Sequence, residues 1–239
     1  MKNYLINLDR DKERLLMQER QFSRFDMAYE RVAAIENAAR NRFRWWCAVL
    51  RPVVKGELGC AASHCECYRR LVESGEPCAA VFEDDVVLGD DVKATLGMAE
   101  KFCEEKMEAV VLLGDHRKRM SGEKPQVACN GERRIVKAEW DNGSEGYVIG
   151  RVAAATLLSR QSPVRVPADW WRYFAKKGWI ELYRSSRPVC WQPEGVFESN
   201  IGVRYVVAED PSVARRMVWR IKRMLGDVID TLIDGKSGW

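Results

Sequence analysis

Three consecutive carboxylates, Glu83-Asp84-Asp85, stand inside the apolar run from Ala79 to Leu88. Ionised acids among such neighbours cost several kcal/mol each unless their charge is compensated. A divalent cation compensates it economically, because hard ions such as Mg²⁺ or Mn²⁺ take oxygen ligands and borrow the rest from a substrate's phosphates. With Ala79 to Phe82 as a buried strand, side chains alternate, so Glu83 and Asp85 project to one side and Asp84 to the other. Two carboxylates then face one point at a strand end. The competing reading is a strand entering a helix N-terminus, where acids cap and complement the dipole. Asp90-Asp91, however, already supply a cap for the following helix.

Three further stretches could do chemistry. Asp9-Arg10-Asp11-Lys12-Glu13-Arg14 follows the short strand Tyr4 to Leu8 and runs into a helix beginning near Lys12. Such a junction is where α/β folds bind nucleotides, although ion pairs on a solvated loop explain the charges equally well. In Gly56-Glu57-Leu58-Gly59-Cys60-Ala61-Ala62-Ser63-His64, two glycines precede a helix that continues through Val72, and glycine serves where backbone must approach something closely. His64 is one of two histidines in the chain, either a ligand or a satisfied structural group. In Ala168-Asp169-Trp170-Trp171, an acid beside flat aromatic faces suits a sugar ring, unless Asp169 only caps the helix that starts there.

The elements that must hold these residues alternate between strand and helix. Strands are expected within Phe25 to Ile35, at Ala109 to Gly114, Ile135 to Trp140, after the Gly-rich turn Gly143 to Gly146, at Trp179 to Arg184 and at Val189 to Gln192. Helices are expected from Asp90 to Met107 and Arg151 to Leu158, the latter stopped by Ser162 to Pro167. The fold class is α/β. Asn37 to Val54, with Arg40, Arg42, Arg44 and Trp45-Trp46, is a basic aromatic stretch that either holds a sugar or phosphate or forms a helix with one basic face. Asp115 to Lys118 ends a strand, 120 to 131 reads as a loop ordered by ligand, and Glu198 to Gly202 as a polar turn. Beyond Asp210-Pro211, basic residues from Arg215 to Arg223 alternate with Val213, Met217, Trp219 and Leu225. That tail can lie on an anionic bilayer or pack on the domain.

Composition narrows the classes. A chain of 239 residues with 46% hydrophobic residues can bury a real core, and a modest net charge of +4, spread out except near the C-terminus, argues weakly for a phosphate-bearing partner and not for a nucleic acid. Eight cysteines contain no C-x-x-C pair and have only two histidines for company, which argues against a structural zinc site. Met1-Lys2-Asn3 leads straight into a strand and no stretch approaches the roughly 20 apolar residues of a membrane span, so a reducing cytoplasmic setting is expected. No Gly-rich phosphate loop is present.

Together the stretches Tyr4 to Arg10 with Arg14, Gly56 to His64, Phe82 to Val86, Gly143 to Ile149, and Gln192-Pro193 with Ser199 to Ile201 resemble glycosyltransferase family 25, the lipopolysaccharide and lipooligosaccharide enzymes related to collagen galactosyltransferases. The resemblance runs through about residue 205 in the right order. It implies a GT-A-like fold with a mixed central sheet and flanking helices over residues 1–209, followed by a basic amphipathic tail at 210–239. It further implies an inverting transfer of a hexose, typically galactose, from a UDP-sugar to a saccharide or lipid-linked saccharide acceptor. Glu83-Asp84-Asp85 takes the place of the Asp-x-Asp motif, with Asp85 and then Glu83 as ligands of Mn²⁺ or Mg²⁺. Asn7, Leu8, Arg10, Arg14, Ser63, His64, Glu83 and Asp84 would border the donor. Inversion needs a carboxylate near the acceptor hydroxyl, for which Asp169 stands first and Glu145 in reserve. A metal-dependent nucleotidyltransferase or phosphohydrolase, and a decayed transferase acting as a surface-binding protein, are the competing readings.

Overall fold

The computed structural model describes residues 1–36, 55–114, 134–138, 143–164 and 166–193. Its strands are β1 (Lys2–Asn7), β2 (Glu30–Ala33), β3 (Cys78–Glu83), β4 (Val87–Leu88), β5 (Ala109–Leu112), β6 (Ile135–Lys137), β7 (Gly146–Gly150), β8 (Glu181–Ser185) and β9 (Cys190–Trp191). Its helices are α1 (Lys12–Arg24), α2 (Lys55–Ser74), α3 (Val92–Glu105), α4 (Arg151–Arg160) and α5 (Trp171–Lys176). Seven strands form one mixed sheet in the order β2-β1-β3-β7-β5-β8-β6, and β4 pairs with β9 separately. The fold is therefore α/β, with the mixed central sheet and flanking helices that the family resemblance implied. The stretches Arg40 to Trp46, Asp115 to Lys118, 120 to 131, Glu198 to Gly202 and the tail 210–239 lie outside the described residues.

Alternation along the strands builds two cores. Tyr4, Ile6, Ala79, Val81, Val110, Leu112, Tyr147 and Ile149 face α2, α4 and α5, where they meet Tyr68, Leu71, Ala153, Leu157, Trp171 and Phe174. Leu5, Ala80, Phe82, Val111 and Val148 face α1 and α3, where they meet Phe22, Val92, Leu96, Ala99 and Cys103. Both faces are covered, so the strands read as continuous apolar runs. β1 and β3 run parallel with Ile6 opposite Glu83, whereas β7 runs against β3 with Gly146 opposite Phe82. The carboxyl ends of β1 and β3 and the amino end of β7 consequently meet at one edge, and everything polar on β3 is delivered there.

Several local expectations need correction. Gly56 and Gly59 lie within α2 rather than before it. Gly59 is still a close-approach glycine, since a Cβ there would come within 2.2 Å of the Ile35 carbonyl oxygen. Asp91 occupies the N-cap position of α3 but its side chain makes no cap bond, and Asp90 pairs with Arg24 at 2.6 Å. Asp169 is not at the N-cap position: α5 starts at Trp171, with Trp170 there. The strand expected from Ala79 to Phe82 is found within β3, and a turn at Asp84-Asp85 separates it from β4.

At the β7 to α4 junction, a Cβ on Gly150 would lie 2.3 Å from the Met107 carbonyl oxygen. Backbone cannot step aside cheaply, so Gly150→Ala is expected to cost about 1–3 kcal/mol and lower the melting temperature by several degrees. Gly97, inside α3, has nothing within 4 Å of such a Cβ, and Gly97→Ala is expected to raise stability by up to about 1 kcal/mol. Thermal unfolding of the two variants side by side checks the pair; equal midpoints would refute the crowding argument.

Candidate functional site

The acidic triplet divides as strand alternation predicts. Asp84 turns inward, only 7% exposed, and its carboxylate accepts from Asn7 Nδ2 at 2.7 Å and from the Arg14 guanidinium at 3.0 Å. Burial raises the Asp84 carboxyl above its ordinary range, and the Asn7 and Arg14 donors oppose the rise. The turn's backbone is also held from α1: Gln18 Nε2 donates to the carbonyls of Asp84 and Val86, and Gln21 Nε2 to that of Val86. Asn7 is itself fixed, its Oδ1 accepting from Arg31 Nε at 2.9 Å.

Glu83 leaves β3 toward α2. Its Oε1 accepts from the Ser144 hydroxyl, lies 4.0 Å from Cys60 Sγ and 3.4 Å from His64 Nε2. Its Oε2 accepts from Gln192 Nε2 at 3.3 Å. Behind His64 runs a buried chain of hydroxyls. Tyr147 donates to the Tyr68 hydroxyl at 3.1 Å and sits 2.7 Å from His64 Nδ1. Tyr147 thereby holds the ring at Nδ1 and turns Nε2 toward Glu83 Oε1. A proton or a cation belongs between them.

Asp85 lies beside Glu83 on the same side. Gln192 Nε2 donates to Asp85 Oδ1 at 2.8 Å, and Arg14 approaches its other oxygen at 3.7 Å. Burial first, and then the neighbouring Glu83 charge, push the Asp85 carboxyl up to about 7 against the pull of Gln192 and Arg14. Asp169 belongs to the same neighbourhood. Burial, followed by the charges of Glu83, Asp169 and Asp85, drives the Cys60 thiol well above its ordinary value.

The remaining expected residues are placed differently. Arg10 is on the exposed loop, paired with Glu36 at 2.6 Å, and Leu8 before it is partly buried. Ser63 is 1% exposed and ties α2 to the chain after β2, donating to the Gly59 carbonyl and accepting from the Ile35 N–H. Glu145 is 6% exposed, with a carboxyl oxygen 2.4 Å from where a Gly114 Cβ would stand, so its acid packs under the end of β5. Trp171 is wholly buried, edge-on to Tyr147 with its Nε1 donating to the Gly143 carbonyl at 2.6 Å; it is a core residue, and only Trp170 of the pair can offer a face to a sugar. Residue types alone did not single out Cys60, Tyr68, Tyr147, Ser144 or Gln192. The signal for Cys60 and His64 is their i, i+4 spacing, which puts both on one face of a helix; Gln192 lies 107 residues from Asp85 and entered only as part of the stretch that carries the family resemblance.

Acids gathered at the carboxyl end of a central strand, on a mixed sheet covered by helices, define an α/β protein whose chemistry sits at the β3 edge. The model of glycosyltransferase family 25 (LPS biosynthesis protein) matches residues 1–171, and the chain belongs to this family. It is 32% identical over 123 residues, half of this chain and 20% of the relative, to procollagen galactosyltransferase 1 of Danio rerio. It is 30% identical over 152 residues, 57% of this chain, to the lacto-N-neotetraose biosynthesis glycosyltransferase LgtE of Neisseria meningitidis serogroup B, 52% of whose length is covered. A Bos taurus relative, the probable inactive glycosyltransferase 25 family member 3, is 32% identical over 123 residues, with 50% of this chain and 20% of the relative covered. The chain thus spans about half the length or less of these relatives. Among the described residues, no helix is long and apolar enough to cross a membrane.

The carboxylates suit the metal that the family resemblance implies. One atom, Gln192 Nε2, lies within hydrogen-bond distance of both Asp85 and Glu83, marking a point where a positively polarised group already satisfies two oxygens. Hard divalent ions take that donor set. Asp85 also supplies a pH test. Its folded value near 7 stands above the ordinary 3.8, so between those values the folded chain holds a proton that the unfolded chain has lost, and stability falls as pH rises through the window. Asp85→Asn removes this cost. Relative to the unsubstituted chain, the variant is expected to gain on the order of a few kcal/mol between about pH 4 and about pH 8 in chelator. Denaturant unfolding at both pH values measures it, and a difference that does not change with pH would refute it.

Proposed function

We propose that this chain is an inverting, metal-dependent glycosyltransferase that moves galactose from UDP-galactose to a saccharide acceptor of the lipopolysaccharide or lipooligosaccharide core. The observation that carries the reading is the meeting of Asp85 and Glu83 on one amide nitrogen at the end of β3, with the Asp169 charge felt in the same pocket. Family membership and the printed activity of the LgtE relative support the reaction class and the saccharide acceptor. A cluster of carboxylates repels a sugar diphosphate, so an anionic donor can approach only with a cation between them.

Asp85 and Glu83 would hold that ion, which when bound supplies positive charge to the departing diphosphate. Asp84 and Arg14 keep the turn rigid, so Asp85 needs no reorganisation as charge develops. Asp169 takes the proton of the attacking acceptor hydroxyl, for its carboxylate shares the pocket yet remains partly exposed; Glu145, packed under Gly114, stands in reserve. Trp170 offers the acceptor an apolar face. Asn7, Leu8, Arg10, Arg14, Ser63 and His64 border the donor, with Asn7, Arg14 and Ser63 acting through the backbone and side chains they position. In this reading residues 1–209 form the transferase domain in the cytoplasm, and the basic stretch 210–239 rests on the inner face of the membrane.

A second reading, a transferase fold that has lost activity, has one observation in its favour: one similar relative is named as a probable inactive family member. UDP release with a panel of sugar nucleotides, Mn²⁺ and saccharide acceptors decides between them. Asp85→Asn is expected to abolish transfer with the fold retained, and Asp169→Asn to lower turnover by about 10²–10⁴-fold while leaving donor binding nearly unchanged. Normal transfer by Asp85→Asn at metal levels that saturate the unsubstituted chain would overturn the metal assignment. Absence of both turnover and heat of UDP–Mn²⁺ binding would favour the inactive reading.

A further inference from the structure

Cys60, His64 and Glu83 lie apart from the hard-ion point on Asp85, sharing only Glu83 with it. One ligand atom from each lies within 4.8 Å of the other two. The Glu83 Oε1 distances are 3.4 Å to His64 Nε2 and 4.0 Å to Cys60 Sγ. Around a tetrahedral zinc ion the corresponding separations are about 3.3 Å for nitrogen to oxygen and about 3.6 Å for sulfur to its neighbours, as its bond lengths of about 2.0–2.1 and 2.3 Å require. The nitrogen–oxygen and sulfur–oxygen separations are within a few tenths of an ångström of these values.

Two independent features point to a cation there. The Tyr147 hydroxyl, 2.7 Å from His64 Nδ1, holds the imidazole so that Nε2 faces Glu83 Oε1 at 3.4 Å. This is also how metal-ligating histidines are held, by a hydrogen bond at the other ring nitrogen. Secondly, Cys60 and His64 are one turn apart on α2, a rigid element, while Glu83 ends a central strand, so the donors sit on regular structure. Cys60 and Glu83 are partly exposed, which gives an ion a way in.

We propose that Cys60, His64 and Glu83 form a binding site for a borderline-soft divalent cation of the Zn²⁺ type, distinct from the hard-ion position on Asp85. On binding, the Cys60 thiol releases its proton to solvent and a sulfur–metal bond forms, beside bonds from His64 Nε2 and Glu83 Oε1. Solvent or Asp169 completes the shell. The two sites share the Glu83 carboxylate, one oxygen facing each, so zinc on Oε1 withdraws its charge from the Asp85 position and inhibits the transfer proposed above; that consequence alone rests on the transferase reading.

X-ray absorption of the zinc-loaded, otherwise unaltered chain is expected to show one sulfur at about 2.3 Å with nitrogen and oxygen at about 2.0–2.1 Å. Titration with Co²⁺ should give a thiolate-to-cobalt charge-transfer band that Cys65→Ser keeps and Cys60→Ser or Cys60→Ala loses. Tyr147→Phe should weaken zinc about 10–100-fold through the orienting bond. Cys60→Ser should also retain transfer in zinc that inhibits the unsubstituted chain. A zinc shell without sulfur, or a cobalt band that survives both Cys60 substitutions, overturns the site, and equal zinc inhibition with and without Cys60 overturns its role. Zinc bound through sulfur in a chain that transfers no sugar supports the site and refutes the transferase reading instead.

Discussion

A carboxylate buried at the end of a central strand must be met by donors, and the way Asp84 is met determines the shape of this edge of the sheet. Asn7 reaches it from β1 and Arg14 from α1. Gln18 and Gln21, further along α1, hold the carbonyls that follow. Removing one donor would leave a buried charge partly unpaired, which costs far more than the bond itself is worth. The turn after β3 is therefore held by two elements at once, and the direction in which Asp85 points is fixed by contacts it does not itself make.

The neighbouring acids face the opposite demand. Glu83 and Asp85 share a donor in Gln192, and Asp85 is pushed toward the neutral range by burial and by Glu83. A chain with a net charge of +4 thus concentrates negative charge at one small place. The end of β3 and the turn after it separate the three acids into one that stabilises the turn and two that lie together on its other side, within three consecutive residues.

How much of this could be read from the sequence follows from the range of each interaction. Strand periodicity and apolar runs are local, so β1, β3, β5 and α1 stand close to where the residue pattern puts them; the division of Glu83 and Asp85 from Asp84 matches the pleat's alternation although a turn, not a strand, carries it. Helix boundaries near glycine were less legible: Gly56 and Gly59 read as a turn, yet they lie inside α2, because the close packing that requires Gly59 is against Ile35, a contact no local pattern records. The two tryptophans at 170 and 171 read as one aromatic platform, but Trp171 is consumed by the core around Tyr147. Gln192 could not be found by chemistry of type and spacing at all, since a lone glutamine signals nothing until the β4–β9 pairing brings it to Asp85.

The two helices that serve the site share one construction. On α1 the buried residues Arg14, Gln18 and Phe22 recur every four positions, polar at the end nearest the acids and aromatic where the helix reaches the core. On α2 the same spacing carries Cys60, His64 and Tyr68, after which Leu71 is wholly buried. A single helical stripe therefore does two jobs: its apolar end fixes the helix on the sheet, and that fixed position aims its polar end at β3. Such stripes blur the amphipathic pattern, because buried polar residues interrupt it. The interruption is itself the sign of a site, since a buried Arg, Gln or His on a packing face must find its partners in something other than solvent. In this fold the partner, from both sides of the sheet, is the same three-residue acidic turn.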